Sequence, residues 1–184
     1  GCAIVASEDG NTTLCWGNTA YTGRGTSGEK PAEEPGELIT IIGQPFTTPL
    51  VTLSCSGNHT CGLDAEGQAY CWGRGYYGQL GYGSTTDTTI AYEVKASVAL
   101  PNPPFVSLDL KGNRSCGLTA EGERHCWGDL AEFGLGDTDT PYVYATLIPE
   151  SDVQDVAGSC HLSSEGSVSC MGYNWAGSLG QGVV

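Results

Sequence analysis

The chain has 184 residues, suited to one domain, with 28 Gly, 9 Pro and only 15% charged side chains. Its 7 Lys and Arg against 21 Asp and Glu give a formal net charge of −14, which disfavours binding to nucleic acid or an anionic membrane surface because phosphates must be neutralised by cations. No apolar stretch reaches membrane-spanning length and no run sustains helical periodicity, so short strands joined by Gly-rich turns predict an all-β fold.

In chain order, the first predicted hairpin lies between Cys2 and Cys15, followed by Trp16-Gly17. Thr26 to Gly36 is a polar insertion with no apolar anchor and is expected to be an exposed loop. Leu50 to Cys55 reads as a strand and Gly57-Asn58-His59 as a turn. Between Cys61 and Cys71, two apolar runs flank the acidic turn Asp64-Ala65-Glu66-Gly67, the pattern of a β-hairpin. Trp72-Gly73 follows, then a Gly-rich loop from Arg74 to Gly81 around Leu80, a Thr-rich loop from Ser84 to Thr89, and a fourth strand over Ile90 to Val94. The Thr-rich loop reads as an ordinary polar loop, with O-linked sugars as the other reading. Phe105 to Leu110 opens the next unit, with its hairpin between Cys116 and Cys126 and then Trp127-Gly128. A last hairpin lies between Cys160 and Cys170, before Met171-Gly172. The period divides one domain, 1–184, into a partial repeat 1–49, repeats 50–104 and 105–149, and a partial repeat 150–184.

Cys61 and Cys71 lie symmetrically about Glu66, Cys116 and Cys126 about Glu121, and Cys160 and Cys170 about Glu165. Residues so placed face each other across an antiparallel pair, with Cα atoms about 4.5–5.5 Å apart, inside disulfide range. The predicted bridges are Cys2–Cys15, Cys61–Cys71, Cys116–Cys126 and Cys160–Cys170, each worth about 2–3 kcal/mol. Zinc fails on spacing: nine residues separate the cysteines in three copies, where zinc sites use about two to four, and no His recurs with them. The ninth cysteine, Cys55, aligns with Leu110 and Val156 and is expected to be a buried small hydrophobe.

Paired cysteines point to an oxidising compartment, secreted or at the cell surface. The chain opens without an initiator Met or a leader, which reads as a mature or excised segment. Asn11, Asn58 and Asn113 each begin an Asn-X-Ser/Thr signature for N-glycosylation. Asn58 and Asn113 hold the same place, three residues before the first cysteine of their hairpins.

No catalytic constellation is visible. His59, His125 and His161 fall at three different repeat positions, and no nucleophile elbow, zinc-helix signature or phosphate loop is present. Asp137-Thr138-Asp139 reads as a solvated turn rather than a calcium site. The recurrence of Glu66, Glu121 and Glu165 indicates turn chemistry. The expectation is a non-enzymatic protein with no metal and no cofactor.

The pattern apolar-X-X-apolar, Gly, Cys-Gly-Leu, Gly-X-X-X-Cys-Trp-Gly, then Gly78-Gln79-Leu80-Gly81 resembles the regulator-of-chromosome-condensation repeat. Gly177-Ser178-Leu179-Gly180 departs from the Gly-Gln-Leu-Gly loop by one residue, Phe133-Gly134-Leu135-Gly136 is looser, and Thr22-Gly23-Arg24-Gly25 has lost the Leu. The resemblance covers nearly the whole chain, and the cysteine pairs are similar to those of secreted members. It implies a β-propeller, usually of seven blades of four antiparallel strands, so that two full and two partial repeats make about half of one. Trp16, Trp72 and Trp127, with Met171 in the fourth place, are then inter-blade core. Such an arc is a segment of a longer protein, or is completed by another copy, or closes on itself. Nucleotide exchange and chromatin binding, the founding member's roles, follow from fold alone and conflict with the disulfides and the acidic charge. Two functions remain. The leading one is an extracellular structural glycoprotein whose copies assemble into an appendage, matrix or filament. The other is a secreted or cell-surface module binding a protein or glycan through loops on one face.

Overall fold

The computed structural model describes residues 1–7, 10–17, 21–22, 32–37, 48–94, 103–131, 141–148, 153–157, 160–163 and 165–170. Short apolar runs separated by tight turns give four antiparallel meanders. The first sheet is β1 (Cys2–Ser7), β2 (Gly10–Gly17) and β3 (Ala32–Glu37). The second is β4 (Leu50–Cys55), β5 (His59–Asp64), β6 (Ala69–Gly73) and β7 (Thr88–Glu93). The third repeats it with β8 (Phe105–Lys111), β9 (Arg114–Thr119), β10 (Arg124–Gly128) and β11 (Tyr142–Ile148). The fourth is β12 (Val153–Ala157), β13 (Cys160–Ser163) and β14 (Val168–Cys170).

A side-chain oxygen at one repeat position closes the hairpins of the second, third and fourth sheets. Asp64 Oδ1 accepts from the Glu66 and Gln68 amides at 3.1 and 2.8 Å. Thr119 Oγ1 accepts from the Glu123 amide at 3.2 Å, and Ser163 Oγ from the Ser167 amide at 3.1 Å. The turn is therefore made by Asp, Thr or Ser two residues before each recurring Glu, through a side-chain oxygen that captures free backbone donors. Glu66, Glu121 and Glu165 themselves are exposed. With the turns set, Cys2 faces Cys15, Cys61 faces Cys71, Cys116 faces Cys126 and Cys160 faces Cys170. Each pair is disulfide-bonded, with Cα atoms 4.0–4.1 Å apart.

Two irregularities recur in register. An extra residue bulges from the first strand of three sheets: Val51 in β4, Val106 in β8 and Gln154 in β12. Val51 and Val106 are turned out to solvent. Between third and fourth strands the ladder breaks around each Trp, so that Cys71 pairs with Tyr92 but Gly73 with Thr88. The same jump surrounds Trp16 and Trp127. In the first sheet the fourth-strand role falls to β3, so residues 32–36 of the polar insertion are an edge strand rather than a loop. Pro35 is compatible with this because it lies in the irregular stretch at a sheet edge, where no ladder donor is needed.

The sheets stack as blades, with β1 and β2 against β4, and β4 and β5 against β8. Adjacent residues on a strand point to opposite faces, so Cys71 and Trp72 serve different cores. Trp72 packs with Cys2, Cys15, Ile4 and Leu50 between the first and second sheets. Trp127 packs with Cys61, Cys71, Leu80 and Phe105 between the second and third. The first two disulfides thus each meet the tryptophan of the following blade, and Phe105 stacks on Trp127 with centroids 6.0 Å apart. The first residue of each full blade lies over the glycine of its Cys-Gly-Leu. A Cβ on Gly117 would stand 2.6 Å from the Phe105 ring, and one on Gly62 2.6 Å from Leu50 Cδ1.

Cys55 departs from expectation: it is an exposed free thiol, whereas its counterpart Leu110 is buried. Both β4 and β5 pack against β8, whose Leu110 is buried in the core between the two blades, whereas among the described residues the first sheet has no strand inboard of β1 to pack on β4 in the same way.

Overpacking at Gly117 yields a direct check. Gly117→Ala is expected to lower stability by about 1–3 kcal/mol in urea unfolding of the oxidised protein, whereas Gly112→Ala, whose Cβ would meet nothing within 4 Å but whose φ is +58°, tests backbone strain without packing. Equal stability of Gly117→Ala and wild type would show that the Phe105 ring is not seated on this glycine.

Candidate interaction surface

A buried polar node bolts the second blade to the third. His59 begins β5, at the place Arg114 holds in β9, and both side chains are buried. His59 Nε2 lies 2.8 Å from Ser115 Oγ, and that hydroxyl donates to the Gln79 carbonyl at 2.8 Å. Since the hydroxyl has one proton and gives it to Gln79, His59 is the donor to Ser115, as the Nε2–H tautomer. This is the reverse of a Ser–His nucleophile, in which the imidazole accepts, and Ser115 is fully buried. Burial holds the His59 imidazole down at about 4, from its ordinary 6.5.

The other histidines are elsewhere. His125 Nε2 is 3.5 Å from Glu123 Oε2, whose side chain is largely exposed. His161 lies in β13, its side chain outside the described residues, as are Asp137 to Asp139, Met171 and the loops 133–136 and 177–180. Among the described residues no group of three His, Cys, Asp or Glu side chains is placed to hold a metal.

Gln79 belongs to the loop that joins β6 to β7, and this loop carries the most conspicuous surface feature. Tyr76 is 64% exposed, Tyr77 meets it edge-on with centroids 5.1 Å apart, and the Arg74 guanidinium stands 5.8 Å from the Tyr77 ring centroid. The loop is held from within. The Gly78 amide donates to the Gly75 carbonyl at 2.7 Å, the Tyr77 amide to Gln79 Oε1 at 2.9 Å, and the Gly75 amide to Asp87 Oδ1 at 2.9 Å. Tyr82 Oη donates to the Thr86 carbonyl at 2.8 Å. Leu80 is its buried anchor. The loop is also tied to β11 of the next blade, where the Gly83 amide donates to the Val143 carbonyl at 2.9 Å and Gly83 lies against the Tyr144 ring. Sequence reading found the glycines and Leu80 but not the patch of Arg74, Tyr76, Tyr77 and Tyr144; the adjacent pair Tyr76-Tyr77 flanked by glycines was the available signal.

The glycosylation signatures occupy unlike settings. Asn11 is half-buried in β2 and its Nδ2 donates to the Leu50 carbonyl at 3.1 Å, across blades. Asn58 is exposed in the β4–β5 turn, and Asn113 is half-buried in the β8–β9 turn. Their carbonyls accept from the Arg74 and Asp129 amides at 2.9 and 3.1 Å, so Gly73 and Gly128 must pass close by. Both have positive φ, and a Cβ would stand 2.6 Å from the Asn58 oxygen and 2.3 Å from the Asn113 oxygen. The Arg74 contact puts Asn58 and the tyrosine loop on one face. Of the bridges, Cys61–Cys71 and Cys116–Cys126 are buried, and Cys2, Cys160 and Cys170 are half-buried.

Residues 50–79 and 66–106 match the regulator of chromosome condensation (RCC1) repeat. The chain is 28% identical over 201 residues to the human E3 ubiquitin-protein ligase HERC2, covering 94% of this chain and 4% of the ligase. It is 26% identical over 190 residues to the ultraviolet-B receptor UVR8 of Arabidopsis thaliana, covering 97% of this chain and 41% of the receptor. Among solved structures, Prp20p of Saccharomyces cerevisiae, described with its binding to Gsp1p and histones, superposes with a TM-score of 0.73 at 19% identity, covering 98% of this chain and 45% of Prp20p. The four sheets are thus β-propeller blades, and the chain spans less than half the length of these relatives.

The His59 node predicts an acid-sensitive interface. Folded His59 resists protonation down to about pH 4, while the unfolded imidazole takes its proton near 6.5. Its contribution is therefore fully present above pH 6.5 and lost as pH falls through that window, by about 3 kcal/mol at the acid end. Urea midpoints at pH 7.5 and 4.5 should differ more for wild type than for His59→Gln; identical pH dependence would show that His59 is free to protonate in the folded state.

Proposed function

We propose that this chain is a non-enzymatic recognition module of an oxidising, extracellular or cell-surface setting, binding a protein partner through the tyrosine loop 74–87 and the adjoining part of β11. The observation that carries this reading is exposure combined with rigidity. Tyr76 is largely exposed while the loop beneath it is pinned to its own blade and to the next. A preordered loop loses little entropy on binding, and Tyr and Arg are the side chains that most often carry interface energy. Protein binding by Prp20p supports a partner of that class, and the net charge of −14 favours a cationic one. The four bridges support the compartment. Tyrosine faces also suit sugar rings, so glycans form the contrasting arm of the test.

The reading is tested with immobilised wild type and an Arg74→Ala/Tyr76→Ala/Tyr77→Ala variant, offered extracellular proteins and a glycan array. The expected result is a protein partner whose binding weakens at least about tenfold in the triple variant. Val51→Ser, at the opposite end of the strands, should leave it intact. Equal binding by wild type and triple variant overturns the reading; selective glycan capture replaces the partner class.

A second reading, self-assembly of copies into a larger extracellular structure, draws on one specific observation. Trp72 and Trp127 are fully buried under the preceding blade, whereas Trp16 is only half-buried. Light scattering should then show polymers that Trp16→Ala disperses. A monodisperse monomer removes this reading.

A further inference from the structure

We infer that Asn58 is an N-glycan acceptor and that Asn11, with the same tripeptide signature, is not. The inference rests on the oxidising-compartment reading above and goes beyond it by choosing between sites the signature alone treats alike.

Asn58 is exposed, and Gly57 beside it faces open space, with nothing within 4 Å of a built Cβ. The turn is held by the Ser56 amide, which donates to the His59 carbonyl, and the Arg74 amide, which donates to the Asn58 carbonyl, each at 2.9 Å, and by Ser56 Oγ, which donates to the Gly112 carbonyl at 3.0 Å. Among the described residues the Asn58 carboxamide therefore takes no part in holding the turn, and a sugar on it displaces none of these bonds. Asn11 is the opposite case. Its Nδ2 is the atom a glycan would substitute, and that atom already donates to the carbonyl of Leu50, a buried residue packed between the first two blades. A glycan there would place a bulky polar group at the blade junction. Asn113 sits between these extremes, half-buried in a turn whose Gly112 carbonyl accepts from Ser56 Oγ at 3.0 Å.

The step is a group transfer. Asn58 Nδ2 attacks the anomeric carbon of an oligosaccharide carried on a polyprenyl diphosphate. The carbon–nitrogen bond forms, the bond to the diphosphate oxygen breaks with its electron pair, and Nδ2 gives up a proton to the transferase. Nothing is oxidised or reduced. The Arg74 contact then places the first sugar at the border of the tyrosine patch.

The test secretes the full chain from a eukaryotic cell behind an added leader, as wild type, Asn58→Gln and Asn11→Gln. Glycan-releasing amidase converts each occupied Asn to Asp, so peptide mapping reads occupancy site by site. The luminal fraction is mapped as well as the medium, so that poor export does not hide the result. The expected outcome is Asp at position 58, loss of one glycan from Asn58→Gln, and no glycan lost from Asn11→Gln. Unmodified Asn58 in disulfide-bonded protein, or an occupied Asn11, overturns the inference. Because the leader imposes the compartment, this result speaks for the site alone; whether the source cell exports the native protein tests the compartment separately.

Discussion

The contact on which the stack depends is that of a half-cystine pair with the tryptophan of the next blade. Cys71 and Trp72 are neighbours on one strand and so must point to opposite faces. Each of the first three blades then carries a disulfide on one face and an indole on the other, and stacking in one direction brings them together. It happens with Cys2–Cys15 and Trp72, and again with Cys61–Cys71 and Trp127. The bridge is small, apolar and rigid, which leaves room for a large ring without a cavity. The ladder break around each Trp follows from the same need, because the fourth strand must loosen its pairing where the indole turns into the neighbouring blade.

The polar node is the second fastening, and it works differently. His59, Ser115 and the Gln79 carbonyl bring together two blades and the Gly-Gln-Leu-Gly loop. Dispersion holds the disulfide–tryptophan contact in any local alignment, but hydrogen bonds require one geometry. The node therefore sets how the loop sits, and through Gln79 Oε1 and the Tyr77 amide it sets the tyrosine patch above it. A core contact and a surface feature are linked by three residues, which is why the loop is both exposed and ordered.

The regular parts of the fold were legible in the sequence because they are local. A hairpin turn at Asp64 to Gly67 determines which residues face each other on either side, so strand positions and the four-stranded repeat could be counted along the chain. The wrong assignment in the polar insertion has a local cause as well: residues 32–37 have neither alternation nor β-branched side chains, and they pair as a strand only because β2 offers them an open edge. Tertiary pairing outweighed propensity there.

The sequence by itself determined the hairpins, the all-β class, the repeat and the residue types at each blade position. These depend on periodicity two and on turns of a few residues. Tertiary structure alone decided that Cys55 is exposed and Leu110 buried, although the two hold one repeat position. It alone decided that Asn11 is tied across blades and Asn58 is not. It also decided that His59 meets Ser115, 56 residues away. Each of these depends on what the neighbouring blade places opposite, and a repeat pattern gives equivalent residues the same address without giving them the same neighbours.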